Sequence, residues 1–182
     1  MEDVEPLYYK SANNVEFLDV TLAADGTAIS SITDCIAKLY DDNKDDKTIS
    51  DVASGIRVFP VAHVKRFAVG DTFIITQDDE TEHNGGLINV IDAEASTVQF
   101  ANVTTDTCAA GRAVKVKLGA DVTMTLFGTP VPGQEDWGFR GIITAAHSDL
   151  YIGQQVRIEI EFDGGANKER VILLRTNVVG GS

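Results

Sequence analysis

The chain has 182 residues, 43% of them hydrophobic, and 15 basic against 28 acidic side chains give a formal net charge of −13. This length suits one ordinary domain or two small ones, and a chain of this size removes roughly 70% of its unfolded surface from water, so a core needs no covalent staples. The acidity excludes broad contact with a phosphate backbone, which requires clustered Lys and Arg, and no apolar run approaches the ~20 residues of a membrane helix, so neither nucleic acid nor a bilayer is an expected partner.

The start of the chain, Met1–Pro6, is acidic where a Sec-type export signal needs a basic region followed by an apolar one, which predicts a protein made and kept in a cytoplasm. Residues 1–13 are polar but embed Leu7, Tyr8 and Tyr9, the composition of an arm that lies on a neighbouring surface. Val15–Leu22 reads as a strand, and a turn follows at Ala24–Thr27. Ile32, Cys35, Ile36 and Leu39 then fall at i, i+3, i+4 and i+7, with Ser31 and Asp34 at capping-box spacing, which predicts one amphipathic helix over 31–40.

Asp41–Val52 places oxygen ligands at Asp41, Asn43 and Asp45 as a calcium loop would, but its sixth position is Asp46 where the sharp turn needs glycine, and its twelfth is Val52 where a bidentate Glu should close the shell. A solvated loop is the expectation. From Gly55 onward, short alternating runs take over at 56–59, 72–76, 87–91, 97–103, 112–118 and 121–127, and Pro60 marks an edge or a bend. Between them, Gln77–Gly86 has the composition of a long exposed hairpin loop. Gly128–Trp137, with two prolines and two glycines, reads as a linker, and strands are expected at 139–145, 155–162 and 169–176, the last two as a hairpin with one face buried and one wet. The tail ends in Val178 and Val179 before Gly180-Gly181-Ser182, and its two valines, like the arm, are expected at an interface.

One outline recurs. Phe67–Ile75, Ala110–Val116 and Tyr151–Ile158 each run from an apolar lead-in through a glycine, Gly70, Gly111 or Gly153, to apolar residues two apart. In each, the glycine supplies a turn conformation that a residue with a Cβ resists, and the alternating residues share one strand face. The expected fold is mainly β: residues 1–54 an arm, strand and short N-terminal helix, 55–127 a small β-barrel or sandwich body, 128–137 the linker, and 138–182 a C-terminal antiparallel β region.

Chemistry-bearing patterns are few. His147-Ser148-Asp149 are sequence neighbours, which cannot place nucleophile, base and orienting carboxylate in line. His63, His83 and His147 lack zinc spacing, Cys35 and Cys108 lie far apart, and no phosphate-binding glycine motif precedes a helix. Neither a catalytic residue, a metal nor a cofactor is expected, and an intracellular chain would keep both thiols reduced. Asp78 and Asp79 sit in an open loop where both should stay ionised. Trp137 is read as a packing anchor, with stacking on sugar as its alternative.

The pattern of Phe67–Thr76, followed by Leu87–Val98 and by Ala109–Val114, resembles the β-rich virion proteins of tailed bacteriophages, especially capsid decoration (cement) proteins. The resemblance implies a non-enzymatic structural role in the virion, a homo-oligomer such as a trimer, and the major capsid protein or other virion proteins as partners, with the arm reaching a neighbour. Interaction residues would be Leu7, Tyr8, Tyr9, Trp137, Val178 and Val179. The further β region after the linker departs from that family and leaves tail, collar and head-closure roles open. A β-sandwich module that grips carbohydrate with Trp137 and acidic loops is the alternative class.

Overall fold

The computed structural model describes residues 6–8, 13–17, 34–127, 138–143, 150–163 and 168–180. Tyr9, Trp137, the linker 128–137 and His147–Asp149 lie outside these residues. Among those described, the strands in chain order are β1 (Leu7–Tyr8), β2 (Asn13–Phe17), β3 (Asp34–Asp41), β4 (Asp46–Lys47), β5 (Val58–Pro60), β6 (Thr72–Thr76) and β7 (Glu82–Asp92). They continue with β8 (Thr97–Phe100), β9 (Ala113–Lys117), β10 (Val122–Phe127), β11 (Gly138–Ile143), β12 (Gln155–Asp163) and β13 (Lys168–Val179). The chain forms two compact units, residues 40–118 and residues 1–39 together with 119–182.

The fold is mainly β, as expected, but the helix over 31–40 is not formed. Its residues from Asp34 onward are β3, with Cys35, Ala37 and Leu39 buried and Ile36 and Lys38 partly exposed between them. The small apolar Ala37 completes a two-residue period that the helical spacing passed over. Long-range pairing decides the outcome: β10 pairs through Val122↔Ala37, Thr123↔Ile36 and Met124↔Cys35, and β12 lies on the other side. The helical turns described are two 3-10 turns, Asp42–Lys44 and Val64–Arg66.

Residues 40–118 close into an antiparallel barrel of β4 to β9. From β9 the ladder passes to β6, β7, β8 and β5. On its other side β9 pairs with β4 through Asp46↔Val114 and Lys47↔Ala113, and a bridge between Thr48 and Val61 joins β4 to the end of β5. Ring closure removes exposed sheet edges, and it happens at Pro60, whose carbonyl accepts from Ile49 N at 3.2 Å although its nitrogen has no hydrogen to donate. Pro60 therefore sits at a change of partner within a closed ring.

Inside the barrel, Phe59, Phe73 and Phe100 are fully buried with ring centroids 5.4–6.2 Å apart, and Phe67 meets Phe73 edge-on at 5.5 Å. Val61, Ile75, Ile88, Val98, Val114 and Val116 belong to this core, with Val52, Val64 and Cys108. The expected long loop 77–86 is shorter, because Glu82–Gly86 belongs to β7, where a register shift opposite Phe73 and Ile74 accommodates the extra Gly85. Gly70, Gly111 and Gly153 all have positive φ, +96°, +89° and +88°, the conformation for which their recurring outline argued.

The terminal unit is ordered β1-β13-β12-β3-β10-β11-β2. Its boundaries differ from those expected at 54/55 and 127/128 for reasons of pairing. Residues 46–48 close the barrel, whereas β10 pairs with β3 and β11. The β12–β13 hairpin runs from Gln155↔Asn177 to Asp163↔Lys168, and Val156, Ile158 and Ile160 are buried as expected. Its other face is not wet: Arg157, Glu159 and Glu161 are only 5–7% exposed. These charges are tolerated because they are matched, Arg157 Nε donating to Glu159 at 2.9 Å and Lys38 Nζ to Glu161 at 2.8 Å.

Candidate binding surfaces

Four of the six residues expected at an interface are brought together within the chain. β1 adds to β13 in parallel, with Leu7 opposite Val178 and Tyr8 opposite Val179. Leu7 is 2% exposed and Val178 1%, and the Val178 backbone bonds on its other side to Gln154 O (2.9 Å) and Gly153 N (2.8 Å). Leu7 and Val178 thus find cover in their own chain. Next to them the turn at Gly153 exposes Tyr151 and Ile152.

Apolar surface on the barrel lies elsewhere, on its outer wall. Val58, Gln99 and Val90 stand side by side across β5, β8 and β7, and the two valines are 43% and 50% exposed. Leu87 on β7 is exposed as well. Plain alternation from Ile88 would turn Val90 inward, but the register shift between Ile88 and Val90 inserts Asn89, so both Asn89 and Val90 face out while Ile91 packs on the core. No sequence signal marks that bulge beyond the run Leu87–Ile91 itself.

The acidic loops are structural. Asp78 accepts from Ala109 N (2.9 Å), Arg112 Nε (3.0 Å) and Thr107 Oγ1 (2.8 Å), which holds its carboxyl below the usual range, and the Thr81 hydroxyl and amide do the same for Asp79. Both stay ionised. Gln77, 2% exposed, gathers Thr105 and Asp106 through its side-chain oxygen and so ties the 77–81 turn to the loop between β8 and β9. In the segment weighed as a calcium loop, Asp41 caps the 3-10 turn by accepting from Asn43 N, and Asp46 turns inward to His63. Among the described residues no group of acids, histidines and cysteines is arranged to hold a metal.

Cys35 and Cys108 are buried and unpaired. Burial pushes the Cys35 thiol up to about 12 and the Cys108 thiol to about 11, the latter with help from the negative charges of Asp78 and Asp106. Neither offers a ready thiolate at neutral pH. In comparisons with known proteins, no family model, no curated protein and no solved structure matches the chain.

Proposed function

We propose that this protein is a non-enzymatic structural subunit of a multi-copy particle, a virion component of a tailed bacteriophage, in the role of a capsid decoration protein bridging capsid subunits. The observation that carries the reading is the outer wall of the barrel, where a bulge turns Val90 out beside Gln99 and Val58 in a chain otherwise kept soluble by a charge of −13. Two exposed valines flanking Gln99 on neighbouring strands suit a protein neighbour that removes them from water, and burying each valine there is worth on the order of 1.5 kcal/mol. The segment bearing the resemblance to decoration proteins, about 55–118, lies within the same barrel. Its closed ring makes a rigid body on which such a surface keeps its shape.

The test is the molar mass of the full chain by light scattering, together with co-sedimentation with capsids of a tailed phage. Assembly or capsid binding that is lost in a Val58→Lys, Val90→Lys variant of unchanged melting temperature supports the reading. A monomer that binds no capsid overturns it, as does binding that survives both substitutions.

A further inference from the structure

A second feature of the barrel lies where β4, β9 and the segment after β5 border an open depression of about 360 Å³. Ala62 and Ala113 contribute apolar surface to it. His63 stands at this depression, 60% exposed at its side chain, and is held from behind by Asp46, whose carboxylate is 3% exposed. Asp46 Oδ2 accepts from His63 N at 2.6 Å and Oδ1 lies 3.0 Å from His63 Nδ1. With Nδ1–H donating to Asp46, the ring orientation is fixed and Nε2 is the atom left for another partner, to which it donates when the ring carries both protons.

Lys47 and Arg66 border the same depression. Arg66 Nη1 donates to the Asp45 carbonyl, which anchors the guanidinium by one corner. Most cations of this acid-rich chain for which contacts are described have carboxylate partners, as in Lys38–Glu161, Lys44–Asp71, Arg112–Asp78 and Lys115–Glu82. Lys47 Nζ and the rest of the Arg66 fork have no such partner among the described residues. Lys47 and Arg66 bring two cations to the depression against the carboxylates of Asp45 and Asp46, before His63 is counted, and Lys115 at its border is paired with Glu82.

We propose that this depression binds a small phosphomonoester, its phosphate met by Arg66, Lys47 and His63 Nε2 and its organic part lying on Ala62 and Ala113. A tetrahedral phosphate has enough oxygens to satisfy donors from three side chains on two segments, whereas a carboxylate has two. The buried Asp46 acts as a positioning residue that holds the imidazole. This site is separate from the assembly surface of Val58 and Val90, so either reading can fail alone.

The full-length chain, isotope-labelled, is titrated at low ionic strength with phenyl phosphate, inorganic phosphate and benzoate while the histidine ring signals are followed by NMR. Saturable shifts at His63, with His83 and His147 still, and with phenyl phosphate binding more tightly than benzoate, are expected. Arg66→Gln and Lys47→Gln should each weaken binding at least about tenfold, the loss of one charge-assisted hydrogen bond, with melting temperature unchanged. No saturable response at His63 below about 10 mM, an equal response to benzoate, or wild-type affinity in both variants would overturn the proposal. Vesicles carrying phosphatidic acid present the same group on a surface, and tighter binding to them than to phenyl phosphate would overturn the free ligand in favour of a lipid headgroup.

Discussion

Leu7 and Val178 stand opposite each other in parallel register, so residues near the two ends of the chain meet on one edge of the terminal sheet, both almost fully buried. A two-residue strand has little backbone pairing of its own, and the pair is held by the apolar surface that Leu7 and Val178 remove from water. Leu7→Ala should lower the stability of the terminal unit by about 2 kcal/mol, the low end for a buried leucine, because so short a strand can relax around the gap. Urea denaturation followed by NMR reads the two units separately, and barrel signals from 40–118 should persist beyond loss of the terminal ones. A wild-type midpoint for the terminal unit would show that Leu7 contributes nothing there.

Gly85 is required by a contact. A Cβ at this position would lie 2.8 Å from Cδ2 of Phe100, and that ring is 1% exposed and stacked on Phe73, so it has nowhere to move. Gly85→Ala should therefore destabilise the barrel by about 1–3 kcal/mol through overpacking. Adding Phe100→Leu should recover part of that loss relative to Phe100→Leu alone, and additive effects in the double mutant would refute a direct clash.

These residues show which parts of the fold were legible in the sequence. Three glycines with positive φ were marked by their apolar surroundings, and the β9, β10 and β12 strands by strict alternation, because both signals are local. β3 was misread because Cys35 and Ala37 are small and Ile32, Ile36 and Leu39 fit a helical stripe equally well; only β10 and β12, distant in sequence, decide the matter. Arg157 and Glu159 look like a solvated face on any pattern, since alternation records polarity and not what covers it. Barrel closure through Thr48 and Val61, and the pairing of Asp46 with His63, join residues more than a dozen positions apart that no motif links.

The pH dependence of barrel stability should have two windows. His83 has its Nε2 buried with no hydrogen-bond partner, and burial lowers its pKa below 6.5 although a hydrogen bond with the Val103 backbone opposes the shift. The unfolded chain then binds this proton more readily than the folded one, so stability is intact above the unfolded value and falls as pH drops from about 6.5 through the lower folded value. Asp78 acts in the acid range: its depressed pKa contributes stability above 3.8 that is lost as pH falls through the folded value. Melting temperature against pH should lose the first window in His83→Gln and the second in Asp78→Asn. A slope between pH 6.5 and 5 that is the same in His83→Gln would assign that window to another group.

The pairing of Arg157 with Glu159 tests how the terminal unit carries charge inside. Both side chains are 6% exposed and lie two residues apart on the same face of β12, with Nε donating to Oε1 at 2.9 Å, while Lys38 and Glu161 form a second pair from that face. Removing ions from water is costly, and their mutual attraction offsets that cost only while each keeps its partners. Arg157→Met should then cost about 3–5 kcal/mol, because Glu159 stays buried with a hydrogen bond missing. Joining it to Glu159→Leu removes both charges and leaves apolar side chains of similar length, so the double variant should be more stable than Arg157→Met alone and come within about 1–2 kcal/mol of the wild type. Denaturation of the two single variants and the double gives the coupling energy directly. A double variant whose loss equals the sum of the single losses would mean that the two side chains are held by their other neighbours and not by each other.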